Sequence, residues 1–211
     1  MVAIESNKIT IPPVIIAIRD PIEWVTIANL HPPGWIFILG GGIDEVMKAV
    51  SNLNKLNWTV FMHADMTKGI TNDYEGIKFI KKFVQPVGVI STHSQTMSHA
   101  NKLGLLGIQR IFLLDSLSIE SGIKQVTRSS ADAVEVLPGV LPDIIARLSK
   151  VIAQPLIAGG LVQTKEHVRE ALKAGAVGVS TSSSQLYKMF LDPTPVATSV
   201  QSSKSSSRVP R

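Results

Sequence analysis

The chain has 211 residues, 45% of them hydrophobic, which suits one large domain with a sizeable core. The absence of cysteine excludes a disulfide scaffold, a Cys-ligated zinc site and a thiol nucleophile, and a net charge of +5 permits a polyanionic partner without demanding one. The longest apolar stretch, residues 35–43, is far too short to cross a bilayer.

Residues 1–12 read as an N-terminal lead. Glu5 and Lys8 interrupt the N-terminus and Pro12-Pro13 break the apolar run that follows, so no secretory signal is expected and the cytoplasm is the expected compartment. Eight short runs rich in Val and Ile follow, at 14–18, 35–40, 58–65, 87–92, 107–114, 133–137, 155–158 and 176–180. Near-continuous apolar runs of this kind are how strands buried on both faces of a parallel sheet read. Their starts lie roughly 20 to 29 residues apart, about the length of one strand-plus-helix unit. Helix signals fill the gaps. Asn72 and Glu75 have capping-box spacing ahead of 73–83, Pro142 fits a first helical position, and Thr164 can cap the segment that runs to Leu172. Lys102-Leu103-Gly104 and Lys173-Ala174-Gly175 place a cation and then a glycine where helices should stop.

Eight such units with no leftover strand predict an α/β protein, a single small (β/α)8 TIM barrel over residues 13–190; an open doubly wound sheet is the alternative. Residues 191–211 are Ser-rich, contain three prolines and show no periodicity, so a disordered tail is expected there. Lys204, Arg208 and Arg211 against Asp192 give that tail a net +2, which leaves +3 of the total +5 for the body.

In a barrel, alternate residues of each strand face the interior. On the third strand Val60, Met62 and Ala64 suit the helix side. That places His63 and Asp65 on the interior side near the C-terminal mouth, where barrels bind ligands, with Lys68 close by and Gly69 allowing a tight turn. The same two residues would also serve as a core-stabilising His–Asp pair. Glu135, between Val134 and Val136, would be costly to bury against the helix layer and should point inward. Lys68 or Arg19, the latter at the end of the first strand, would keep it ionised; a structural ion pair across the barrel is the alternative. Asp115 ends the fifth strand and can equally cap the following helix. Arg110, of opposite parity to Asp115 and nearer the bottom, reads as structural.

The most specific local signal comes late. Gly159 and Gly160 close the seventh strand, and Ser180, Thr181 and Ser182 close the eighth, ahead of a short helix at 184–190. These two loops bind phosphate in many barrels: glycines let backbone N–H groups approach the oxygens, and hydroxyls with a helix N-terminus add donors for a dianion. With Thr92 at the end of the fourth strand, the candidate ligand set is Arg19, His63, Asp65, Lys68, Thr92, Glu135, Gly159, Gly160, Ser180, Thr181 and Ser182. Gly40-Gly41-Gly42 is no dinucleotide fingerprint, because Glu45 stands where its third glycine belongs. No Walker lysine, HExxH or GxSxG pattern occurs, no lysine lies in the sixth strand for a Schiff base, and no two histidines have metal-ligand spacing on one helix. No metal and no cofactor is expected.

Six collinear segments, H-A-D-M-T-K-G (63–69), V-G-V-I-S-T-H-S (87–94), I-Q-R-I-F-L-L-D-S (108–116), V-E-V-L-P-G-V (134–140), I-A-G-G-L (157–161) and A-G-A-V-G-V-S-T-S (174–182), give the chain its resemblance to the glycerol uptake operon antiterminator regulatory proteins. The likeness covers nearly all of 14–190. It implies a (β/α)8 fold, glycerol 3-phosphate as effector, and binding to leader mRNA that suppresses premature termination, hence a regulator that transforms nothing; a homo-oligomer is compatible with it. His93 stands where the family usually has Lys or Arg, Ala64 where a branched aliphatic is expected, and Tyr187 where Trp is common. No RNA-recognition motif and no basic run with interleaved aromatics is read from the chain, so RNA binding is implied by the resemblance. The competing expectation is a phosphometabolite enzyme with Glu135 as general base and His63 as acid or electrophile in the same pocket.

Overall fold

The computed structural model describes residues 9–191. Its strands are β1 (Val14–Ile18), β2 (Trp35–Ile38), β3 (Gly41–Gly42), β4 (Thr59–His63), β5 (Thr67–Lys68), β6 (Gly88–Ser91), β7 (Leu106–Phe112), β8 (Ala133–Leu137), β9 (Leu156–Gly159) and β10 (Gly178–Thr181). Eight of them close into a barrel in the order β1-β10-β9-β8-β7-β6-β4-β2, every pair parallel. Around it run α1 (Trp24–Leu30), α2 (Ile43–Lys55), α3 (Tyr74–Phe79), α4 (Ser94–Lys102), α5 (Ser116–Thr127), α6 (Pro142–Val151), α7 (Lys165–Lys173) and α8 (Ser184–Leu191). The closed barrel, not the open sheet, is the fold.

Strand parity sorts the core as expected. Val60, Met62 and Ala64 join the helix-side core, where α2 buries Val46, Ala49, Val50 and Leu53 along one stripe. Ile15, Ala17, Phe37, Phe61, Ile90, Ile108, Ala133 and Ile157 fill the barrel interior.

Pro142 opens α6, Thr164 Oγ1 accepts the His167 N–H at 3.1 Å to cap α7, and α4 and α7 end at Lys102 and Lys173. Asp115 is a cap: its Oδ1 accepts the Ser118 N–H at 2.7 Å at the start of α5. Three expectations need correction. The runs at 35–40, 58–65 and 107–114 overshoot, since the strands stop at Ile38, His63 and Phe112. Asp73, not Asn72, caps α3, accepting the Gly76 N–H at 2.8 Å. Gly41 and Gly42 form β3, an additional strand that pairs with β5 across the mouth; a two-residue ladder leaves no periodicity to read. The helix that begins with α3 continues as a π-helical turn over Ile80–Val84 and closes at Gln85, whose φ is +60°. The tail expected at 191–211 lies, beyond Leu191, outside the described residues.

Candidate functional site

Two residues further along four of the strands, the interior turns from apolar to polar. His63 follows Phe61, Arg110 follows Ile108, Glu135 follows Ala133 and Gly159 follows Ile157, with Ser180 beside them on β10. Arg110 Nε donates to Glu135 Oε2 at 2.8 Å and Ser180 Oγ donates to Glu135 Oε1 at 2.5 Å. Arg110 is 6% exposed and Glu135 1%, and both oxygens of this buried carboxylate are engaged. Lys68 and Arg19, the expected partners, are exposed and hold neither oxygen. Arg110 escapes a sequence reading that counts parity back from Asp115. β7 ends at Phe112, and alternation does not survive the turn between them. The usable signal is its register: Arg110 and Glu135 are directly paired on β7 and β8.

His63 is 2% exposed and its Nδ1 has no partner. Burial, and then the nearby Arg110 charge, lowers its pKa from 6.5 to about 4 against the opposing pull of Asp65. The imidazole is therefore neutral at pH 7. Unfolded chains bind a proton below pH 6.5 that the folded chain refuses until about pH 4, so stability falls as pH drops through that window. We expect a slope of roughly 1.4 kcal/mol per pH unit from this group. Denaturant midpoints of wild type and His63→Asn between pH 7 and pH 4.5 check it: equal slopes in the two proteins would refute the assignment.

Asp65 binds two loops together. Asn72 Nδ2 (2.9 Å) and Ser91 Oγ (2.5 Å) donate to Oδ1, while the Thr92 N–H (2.7 Å) and Thr92 Oγ1 (2.8 Å) donate to Oδ2. Burial pushes its pKa up, but the Ser91 and Thr92 hydrogen bonds and His63 outweigh this and hold it below the ordinary value. Four donors fill the four lone-pair positions of the carboxylate. Asn72 and Ser91 carry no motif and are not legible as site residues in the sequence. Beside this junction lies a cleft of about 450 Å³ lined by Asn72, Asp73, His93, Ser94, Gln95, Thr96 and Gln125.

At the late loops, Gly160 has φ +74° and Leu161 φ +61°. The left-handed conformation costs a branched aliphatic residue about 1–2 kcal/mol, which the surrounding structure must offset. Of the three hydroxyls expected there, Ser180 is committed to Glu135, and Thr181 Oγ1 donates to the Val162 carbonyl at 2.7 Å while accepting the Ser183 N–H. Ser182 is exposed. The start of α8 is held by Tyr187, whose buried hydroxyl, with a single proton, lies within hydrogen-bond distance of the carbonyls of Thr181 (2.9 Å) and Ala17 (3.2 Å). Among the described residues no cluster of His, Asp and Glu suits a metal, and no helix is long and apolar enough to cross a membrane.

Residues 14–187 match the protein family described as Glycerol-3-phosphate responsive antiterminator. The uncharacterized protein YgcP of Escherichia coli K12 is 33% identical over 177 residues, 84% of this chain and 92% of that one. A solved glycerol uptake operon antiterminator-related protein from Thermotoga maritima is 34% identical, with a TM-score of 0.74 over 85% of this chain and 99% of that one. The glycerol uptake operon antiterminator regulatory protein from Listeria monocytogenes is 28% identical, with a TM-score of 0.79 over 83% and 94%. Phosphate-sugar enzymes such as the deoxyribose phosphate aldolase from Aeropyrum pernix share the fold, at 14% identity and a TM-score of 0.61. On the strength of a match that spans the whole barrel, this chain belongs to the glycerol-3-phosphate responsive antiterminator family.

Proposed function

We propose that the protein is a glycerol 3-phosphate-responsive, RNA-binding transcription antiterminator acting in the cytoplasm. In this reading the phosphate sits against the backbone of Gly159, Gly160 and the 180–184 loop. The glycerol end faces His63 and the Arg110–Glu135–Ser180 network. Asp65 positions Thr92, and Lys68 and Arg19 lie on the rim. The observation that carries the reading is how firmly the hydrogen bonds of the polar layer fix its carboxylates. A general acid or base works best with a pKa near the working pH. Here His63 is held at about 4, Asp65 is held low by its donors, and Glu135 is locked to a guanidinium and a hydroxyl. Such fixed groups suit recognition of a polar ligand rather than proton transfer, which weighs against the enzyme alternative. The held left-handed pair Gly160-Leu161 fits a loop whose backbone shape is kept for a ligand.

Asp65→Ala should weaken glycerol 3-phosphate binding by about 1.5–3 kcal/mol, the worth of hydrogen bonds to a charged group, by freeing Thr92 and Asn72. Calorimetry on the variant measures this; unchanged affinity would remove the 65–92 junction from the site. The reading as a whole is tested by linkage. Glycerol 3-phosphate should raise RNA affinity roughly 5- to 150-fold, and RNA should raise effector affinity by the same factor. Equal RNA affinity with and without effector, or turnover of glycerol 3-phosphate that disappears in Glu135→Gln, would sink it.

A further inference from the structure

A basic run interleaved with aromatics does exist in this chain, contrary to the expectation from motifs alone: residues 78–83 are K-F-I-K-K-F. The helix pattern hides it, because that pattern accounts for Ile77 and Ile80, which are buried, and leaves the meaning of the phenylalanines undecided. In the structure Phe79 is 37% exposed and Phe83 52%, and their rings lie 4.8 Å apart between centroids, tilted by 42°. Lys82 Nζ sits 5.2 Å from the Phe83 centroid and Lys81 is exposed on the same turns, while Lys78, also exposed, is paired with Glu75 at 3.0 Å. Lys81 Nζ donates to the Gly104 carbonyl at 2.9 Å, which brings the end of α4 and Lys102 alongside.

The charge around this pair of rings is one-sided. No Asp or Glu occurs between Glu75 and Asp115, so beyond the first turn of α3 the surface of α3, the π-helical turn and α4 carries cations and no acid. By contrast α2, α5, α6 and α7 each set acids beside their bases. Aromatic faces beside ammonium groups match a strand that carries bases to stack and phosphates to neutralise. The position also matters. Phe83 precedes β6 and Lys102 precedes β7, so the platform lies at the N-terminal end of the strands, opposite the mouth. One helix joins the two ends: it starts next to Asn72, bonded to Asp65, and its last turn carries Phe83.

We propose that Phe79, Phe83, Lys81, Lys82 and Lys102 form the RNA-binding surface, which stacks unpaired bases on the two rings and holds the flanking phosphates with the lysines. This deepens the antiterminator reading and rests on it. The surface leaves the effector site free, so both ligands can be bound at once, as linkage requires.

The test uses the full chain and an RNA that it selects from a randomised pool in the presence of glycerol 3-phosphate, with affinity followed by fluorescence anisotropy. Phe83→Ala and Phe79→Ala should each weaken that RNA roughly 5- to 150-fold, the range for removing one base stack. The pair Lys81→Glu and Lys82→Glu should weaken it and flatten the dependence of log affinity on log salt by about 0.7 for each phosphate no longer neutralised. Each variant should bind glycerol 3-phosphate as wild type does in the absence of RNA, which shows the barrel intact. If wild type enriches no RNA, the antiterminator reading fails and the surface with it. If wild type binds and the four substitutions leave affinity and salt slope alone, the surface is wrong while the reading stands. If Phe83→Ala instead converts an oligomer to monomers by sedimentation, with RNA affinity retained, the patch joins copies of this chain and the proposal is overturned.

Discussion

Gly159→Ala is expected to abolish glycerol 3-phosphate binding and to cost about 1–3 kcal/mol of stability, the usual range for overpacking a filled interior. A Cβ at this position would fall 2.5 Å from Glu135 Oε1 and 2.6 Å from Ser180 Oγ. Neither neighbour can yield cheaply: the carboxylate is anchored to Arg110 and the hydroxyl to the carboxylate. A single methyl group therefore separates the two sides of the polar layer at the point where β9 meets the proposed phosphate loop. Calorimetric titration and chemical denaturation of the same preparation read both effects. Wild-type affinity in a folded Gly159→Ala protein would mean that the ligand sits elsewhere. Gly160→Asp tests the loop from the other side, adding a like charge and a side chain at φ +74°. It should also end binding.

The second expectation concerns the buried ion pair. Removing one partner, as in Glu135→Ala or Arg110→Ala, leaves an uncompensated charge inside the barrel and should destabilise the protein by about 3–5 kcal/mol. The double substitution Arg110→Met with Glu135→Leu removes both charges and fills the space with apolar atoms. It should recover most of that loss, since buried pairs are often replaceable by hydrophobic residues at little cost. Effector binding should not return in the double variant if the network faces the ligand. Recovery of stability together with wild-type effector affinity would reduce the pair to a structural role. That outcome would move the glycerol end of the site away from β7 and β8.

The barrel was legible because its strands are buried on both faces and therefore stand out as apolar runs, each followed by room for one helix. Inward and outward residues of β4 were also legible, since alternation is fixed by backbone geometry and Val60 and Met62 leave one face for Phe61 and His63. Pro142 and Thr164 announced helix starts through local chemistry that needs no distant partner. Strand ends were less legible, because a run such as 107–114 stays apolar after the ladder stops at Phe112.

What the sequence by itself determined is thus the fold class, the strand faces and the places where glycines and hydroxyls gather at the mouth. Each of these follows from the period of a single element or from a local turn, and both are written in consecutive residues. The pairing of Arg110 with Glu135, the seating of Ser180 on that carboxylate, the saturation of Asp65 by Asn72, Ser91 and Thr92, and the exposure of Phe79 and Phe83 side by side were decided by the tertiary structure. The first three join residues on different strands and loops, whose register and reach are set by barrel closure. The last depends on which face of the helix the barrel leaves uncovered, which the helix's own sequence does not specify.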